Sequence, residues 1–205
     1  MDFKMQLAPD SVERVKAKMM EQAKPFNGRT CGSCTLCCKL IPVEELSKKA
    51  GQRCQHVRAG KGCSIYARRP LSCREWSCMW LKGSEGDKDL DLSRPDHVHY
   101  VIDEVPDIIR ATNNVTGEVS QIDVMQIWCD PKFPDAWQDP KLMAMLDRVG
   151  VVGLVRYSSD WGFTMWPPSR NTTGKWQFSE TQSAEDLRGA QIAARQAFWQ
   201  RGMQR

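Results

Sequence analysis

The sequence predicts an α+β fold, with an irregular, cysteine-rich, metal-bound N-terminal lobe followed by an antiparallel-strand region with a few helices. Two observations lead to this prediction. Eight of the nine cysteines lie between residues 31 and 78, and residues 96–205 carry alternating strand-like and helix-like hydrophobic patterns. A chain of 205 residues is long enough for one ordinary domain, or for a small metal module joined to a second unit.

The N-terminal part of the chain divides into three predicted segments. Residues 1–27 are expected to contain a helix, because Val12, Val15 and Met19 recur at helical spacing. Residues 28–83 form the predicted cysteine-rich metal-binding domain, whose glycines and prolines favour loops and short turns. Residues 84–95 are polar and are interpreted as a linker.

Residues 96–205 are predicted to form the α+β region. Five segments alternate in the manner of antiparallel strands, and they are 97–105, 108–113, 118–128, 151–157 and 161–166. One helix is predicted from Asp139 to Val149, with Pro140 at its first position. A closing helix is predicted from the capping-box residue Ser183 to about Gln200.

Charge and hydropathy limit the classes of function. The net charge of +4 arises from 29 basic and 25 acidic residues, a small excess that argues against a nucleic-acid partner. The first 15 residues lack the apolar stretch of a secretory signal, and no apolar run approaches the roughly 20 residues of a membrane span. We therefore expect a cytoplasmic protein without a membrane segment, and an unidentified protein partner stays open.

The cysteine cluster is the strongest functional signal. Thiols persist in a reducing compartment, where metal ligation is favoured over disulfides. Repeated two-residue gaps let thiolates from one turn reach a common metal centre. The predicted ligands are Cys31, Cys34, Cys37, Cys38, Cys54, Cys63, Cys73 and Cys78.

The adjacent pair Cys37 and Cys38 suggests two centres. Neighbouring residues usually direct their side chains differently, so one of the pair is expected to complete the first set and the other to join a second. Spacing does not show which cysteines share a centre. His56 stays an alternative ligand or a hydrogen-bond partner of one.

Residues around the cysteines are candidates for covering a centre and balancing its charge. Four interleaved arginines could offset the negative charge of thiolates, and they are Arg53, Arg68, Arg69 and Arg74. Three aromatic residues are expected to wrap the site, and they are Tyr66, Trp76 and Trp80.

The same segment resembles the bacterial CxxCxxCC (YkgJ-like) family of zinc- or iron-chelating domains. The resemblance covers about residues 28–82. Its motifs are Cys31-Gly32-Ser33-Cys34-Thr35-Leu36-Cys37-Cys38, Arg53-Cys54-Gln55-His56, Gly62-Cys63-Ser64-Ile65-Tyr66, Arg69-Pro70, Cys73-Arg74 and Cys78-Met79-Trp80-Leu81. The resemblance implies metal binding by the eight cysteines, and a similar domain occurs in flagellin lysine methylases. It supplies no established reaction for stand-alone members.

Three functions stay open at the level of sequence. The first is a metal-binding protein with a structural or metal-chelating role, carrying zinc or an iron–sulfur cluster. Cys31, Cys34 and Cys37 match the start of a ferredoxin-type signature, but the adjacent Cys38 departs from it, and zinc fits the later spacings equally well. The alternatives are an iron–sulfur redox or metal-dependent enzyme, and a nucleic-acid-associated zinc protein.

The ninth cysteine, Cys129, stands apart at the end of a predicted strand. We expect a buried, unreactive thiol there. A catalytic role would need a neighbouring base, and His97 and His99 are the imidazoles available, on one face of the predicted strand 97–105.

Overall fold

The structure, a computed structural model, describes residues 29–82, 93–103, 107–112, 117 and 119–179. The predicted N-terminal helix and the predicted closing helix lie outside the described residues. Most of the predicted linker also lies outside them. Within the part of the chain that is described, no helix is both long and apolar enough to cross a membrane.

The cysteine-rich segment contains short elements joined by turns. Its helices are α1 (Cys37–Leu40), α2 (Leu71–Glu75) and α3 (Met79–Lys82), and its strands are β1 (Val57–Arg58) and β2 (Gly62–Cys63). The strands pair as a small antiparallel hairpin. Single 3₁₀ turns lie at Glu44–Leu46 and Tyr66–Arg68. The loops and short turns predicted for this segment are confirmed.

The rest of the described chain forms one six-stranded mixed sheet with helices beside it. The short helix α4 (Pro95–Val98) precedes β3 (Tyr100–Ile102). The other elements are β4 (Asp107–Thr112), β5 (Val119–Cys129), α5 (Pro140–Val149), β6 (Val152–Arg156), β7 (Gly162–Trp166) and β8 (Gln177–Ser179). The strand order is β3-β5-β6-β7-β8, and β4 also pairs with β5. This arrangement confirms the α+β class.

The prediction of a purely antiparallel region is wrong for the central pair of strands. β5 and β6 are parallel, with Val124 opposite Val152 and Ile127 opposite Val155. Parallel neighbours need a crossover of a dozen or more residues, and here α5 supplies it. The predicted hairpin of β6 and β7 and the antiparallel pair of β4 and β5 are confirmed.

The strand predicted over residues 97–105 is wrong in its first part. Pro95 occupies the first turn of α4, where its missing N–H and fixed φ favour a helix. His99 ends α4 with φ at +63°, and β3 begins only at Tyr100. His97 and His99 therefore do not share a strand face, and Pro95, assigned to the linker, begins a helix.

The cysteine-rich segment packs directly on the sheet. Leu36 and Leu40 share one buried cluster with Val101 of β3 and Trp128 of β5. Lys39 adds an ion pair to Asp130, with Nζ and Oδ2 2.5 Å apart. A second cluster lies where α5 covers the sheet. These contacts make the sheet a platform on which the cysteines are arranged.

Candidate metal centre

A tight turn brings the first two cysteines together. The amide of Cys34 donates to the carbonyl of Cys31 at 2.8 Å. Gly32, inside this turn, has φ at +48°, a conformation that glycine adopts without steric cost. α1 then begins at Cys37, so the third and fourth cysteines occupy its first turn.

Four cysteines surround one small cavity, and we call them the first thiol group: Cys31, Cys34, Cys37 and Cys78. Cys78 comes from a distant part of the chain, and a backbone bridge to Asp103 holds it beside the sheet. The other lining residues are Trp80, Leu81, Pro95 and Val101. The cavity has a volume of about 10 Å³, which is about the space that one water-sized body occupies.

Burial keeps several thiols of this group protonated. It raises the pKa of Cys31 and Cys34, and it raises the pKa of Cys78 to about 12. Backbone N–H groups of Leu36 and Leu81 donate to the sulfurs of Cys34 and Cys78, which partly opposes the shift. Since metals bind the thiolate, any metal must displace these protons.

The vicinal cysteines are closer than the sequence predicts. Rather than pointing apart, the Cys37 thiol donates a hydrogen bond to the Cys38 sulfur, which raises the pKa of Cys37 together with its burial. The same bond, with the charges of Lys48 and Arg69, lowers the pKa of Cys38 to about 7 against the effect of burial. Cys38 is therefore the thiol best prepared to lose its proton.

Cys38 belongs to a second collection of cysteines. The amide of Cys54 donates to the carbonyl of Cys38 at 2.9 Å. Burial raises the pKa of Cys73, and the charges of Cys38 and Cys54 raise it further. We call Cys38, Cys54 and Cys73 the second thiol group. Lys48 lies beside this group, and no pattern in the sequence distinguishes it from the other lysines.

Cys63 is positioned by the small hairpin. It lies on β2 opposite Val57, three residues after Cys54. Its neighbour Gly62 packs so tightly that a Cβ there would lie 2.1 Å from the carbonyl oxygen of Gly32. This contact fixes the hairpin against the first cysteine turn and places Cys63 between the two parts of the cysteine-rich segment.

The residues expected to surround the cysteines are only partly brought to them. The Tyr66 hydroxyl lies 3.9 Å from the Cys31 sulfur, and the Arg69 guanidinium stacks over the Tyr66 ring. Trp76 and Trp80 pack against the buried cluster that contains the first thiol group. The other three predicted arginines, Arg53, Arg68 and Arg74, are exposed. The ring of His56 is half-buried beside the Gln55 amide.

Cys129 is separate from both groups, as the sequence predicts. It is fully buried in the sheet, in the cluster that α5 covers. Burial raises the pKa of its thiol to about 12. It therefore behaves as a small apolar residue.

The thiols are gathered but are not arranged as finished metal ligands. Among the described His, Cys, Asp and Glu residues, no three or more have the geometry that could hold a metal ion. Ligation would require the cysteines to rotate about χ1 toward a common point. The arrangement therefore brings donors of the right chemistry close to one another and leaves the last step to the ion.

Comparison of the chain with protein-family models, curated proteins and solved structures gave no match. The resemblance to the CxxCxxCC family therefore stays a prediction from the motifs of residues 28–82. The chemistry of the site has to be inferred from its own residues.

Proposed function

We propose that this chain is a metal-binding protein whose eight clustered cysteines hold two neighbouring zinc ions in a structural or metal-chelating role. The observation that carries the proposal is the meeting of Cys78 with Cys31, Cys34 and Cys37 around one enclosed cavity. These thiols come from segments about forty residues apart in the sequence. Four sulfur ligands around one small space are the donor set of structural zinc sites.

The first proposed centre uses the first thiol group. Its surroundings are apolar, since Leu81, Pro95 and Val101 close the cavity. Backbone N–H groups already donate to two of its sulfurs. Such hydrogen bonds stabilise thiolates and orient them toward a metal.

The second proposed centre uses the second thiol group together with Cys63. Cys38, Cys54 and Cys73 influence one another electrostatically, which requires their sulfurs to be close. Cys63 is the remaining cysteine of the cluster and therefore the candidate for the fourth ligand. The hydrogen bond between Cys37 and Cys38 makes the two centres neighbours.

The size of the first cavity favours a single ion over an iron–sulfur cluster. About 10 Å³ accommodates one water-sized body. A cluster of several iron and sulfide atoms needs a much larger space, so the four thiols would have to move apart. A zinc ion needs only a rotation of the thiols toward it.

A structural role follows from the weakness of the local elements. The five helices and strands of the cysteine-rich segment span two to five residues each. Elements of this length have little stability of their own. Two ions that join the turn at Cys31, the hairpin and α2 would supply the missing cross-links.

Metal content of cysteine variants tests the proposal. Protein purified without oxygen is expected to hold two zinc ions per chain, and Cys34→Ser and Cys38→Ser are each expected to lose one of them. Cys129→Ala is the matched control and should retain both. Equal metal content in Cys34→Ser, Cys38→Ser and Cys129→Ala would contradict the proposed ligand sets.

A further inference from the structure

Lys48 is a buried cation beside the cysteines. Only 6% of its surface is exposed, although lysine is almost never fully buried without a partner. Its backbone is fixed by a tight loop in which Val43 and Lys48 exchange two hydrogen bonds, at 2.9 and 3.0 Å. The 3₁₀ turn Glu44–Leu46 lies inside this loop. The loop therefore directs the lysine side chain inward.

The ammonium group is held by the end of the helix that carries Cys37 and Cys38. Its Nζ donates to the carbonyl of Ile41 and lies 3.3 Å from the carbonyl of Lys39. A third carbonyl, that of Lys49, is 3.5 Å away. These acceptors fix the charge one residue beyond Cys38 in the chain.

Carbonyl groups alone do not balance a buried positive charge. Taking an ammonium out of water costs several kcal/mol unless a negative charge lies near it. The ionisable groups whose charges act most strongly on Lys48 are four thiols, Cys38, Cys54, Cys37 and Cys73. Three of these form the second thiol group. The buried cation is therefore matched to thiolates.

Zinc with four thiolates gives a reason for this arrangement. Such a centre carries a formal charge of −2, which must be offset where the surroundings exclude water. The first thiol group is closed by apolar side chains, whereas the second lies beside Lys48. The two centres thus differ in how their charge is compensated.

We propose that Lys48 is a positioning residue whose fixed ammonium charge balances the ion held by Cys38, Cys54 and Cys73 and sets the affinity of that centre. This inference rests on the proposed two-centre function. Lys48 does not touch the ion. It acts through the thiolates, by lowering the cost of keeping several of them deprotonated in a half-buried site.

Zinc titration of charge variants tests the inference. Affinities for two ions are measured without oxygen against a chromophoric chelator, with Co²⁺ as a spectroscopic probe of sulfur ligation. Lys48→Gln keeps hydrogen-bond donors but removes the charge, and it is expected to weaken the second ion by about 10–100-fold, the usual effect of losing a residue that supports a ligand. The first ion should bind as in the unchanged protein.

Two further variants separate charge from structure. Lys48→Arg retains the charge and is expected to bind the second ion within about threefold of the original affinity. Lys49→Gln is the matched control, because Lys49 is adjacent but exposed, and it should change neither affinity. Lys48→Met, a neutral side chain of similar length, replaces Lys48→Gln if circular dichroism shows that the latter does not fold.

The outcomes separate this inference from the function on which it rests. Unchanged binding of both ions by the neutral variants would overturn the role of Lys48, as would equal weakening of both ions. Failure of Lys48→Arg to restore the second ion would also overturn it. Absence of any bound ion in the unchanged protein would instead overturn the proposed function.

Discussion

At the scale of single residues, the cysteine cluster depends on one close backbone contact. Gly62 has φ at +86°, and its Cα lies directly against the carbonyl group of Gly32. Any side chain at this position would push the hairpin of β1 and β2 away from the turn that holds Cys31 and Cys34. Gly62 therefore serves the arrangement of the thiols as well as the local turn.

Gly62→Ala is expected to lower the free energy of unfolding by more than about 2 kcal/mol, because the left-handed backbone and the backbone clash both oppose it. It should also lower the zinc content. Gly60→Ala is the control, since Gly60 has φ at +66° but open space around it. That change should cost about 1 kcal/mol and leave zinc content unaltered. Urea unfolding and metal analysis measure both effects, and equal results for the two variants would contradict the contact.

Cys129 makes the stability depend on pH in the alkaline range. Burial raises the pKa of its thiol from the usual value of 9.0 to about 12, so the unfolded chain loses this proton first. The stability that Cys129 contributes is complete below pH 9 and is lost as pH rises toward 12. Between pH 8 and 10, the unchanged protein should lose about 1 kcal/mol more than Cys129→Ala. Urea midpoints at each pH measure this, and parallel pH profiles would contradict it.

Residue types were easier to predict from sequence than residue groupings. The positions of the eight cysteines single them out, and the isolation of Cys129 in the sequence matches its burial in the sheet. Spacing could not show that Cys78 joins Cys31, because a contact across the fold leaves no local pattern. Lys48 was missed for the same reason.

At the scale of elements, α5 is the feature that the sequence predicts best. Its bounds follow from Asp139 and Pro140 at the start, and Gly150, with φ at +66°, ends it. The consequence of the helix for the sheet was missed. A connection through α5 makes β5 and β6 parallel, whereas alternation in the strands is the same for either direction.

The start of α5 is also tied to β3. One Asp139 oxygen accepts from the amide of Lys141 at 2.9 Å, and the other accepts from the Tyr100 hydroxyl at 2.8 Å. Asp139→Ala is expected to cost about 2–4 kcal/mol, since it removes the helix cap and leaves a buried hydroxyl unpaired. Differential scanning calorimetry measures the loss.

Tyr100→Phe provides the control for this network. It removes the hydroxyl together with its need for a partner, so it should cost only about 1 kcal/mol. The double variant should be less destabilised than the sum of the two single changes. Strict additivity would show that the two side chains do not interact.

At the scale of the whole molecule, the cysteine-rich segment and the sheet share a core. Leu40 of α1 packs in the cluster that contains Trp128, and the ion pair of Lys39 with Asp130 lies at the same junction. The sequence suggested separate units because composition changes between them. Composition does not report contacts, and the structure joins the two parts through buried side chains.

Leu40→Ala should therefore reduce both stability and metal affinity. Leu40 is 1% exposed, and truncating such a leucine costs about 2–5 kcal/mol. Because α1 carries Cys37 and Cys38, we also expect weaker zinc binding in competition with a chelator. Leu142→Ala in α5 is the matched control, since it opens a cavity in the other cluster. Similar zinc affinity in the two variants would contradict coupling between the core and the cysteines.

Metal and sulfide analysis of the protein purified without oxygen tests the central claim most directly. Zinc, iron and acid-labile sulfide are counted per chain, together with the visible absorption spectrum. Two zinc ions per chain, without sulfide and without a visible band, are the predicted result. Iron with an equivalent amount of sulfide, or a folded protein without any metal, would contradict the two-zinc account.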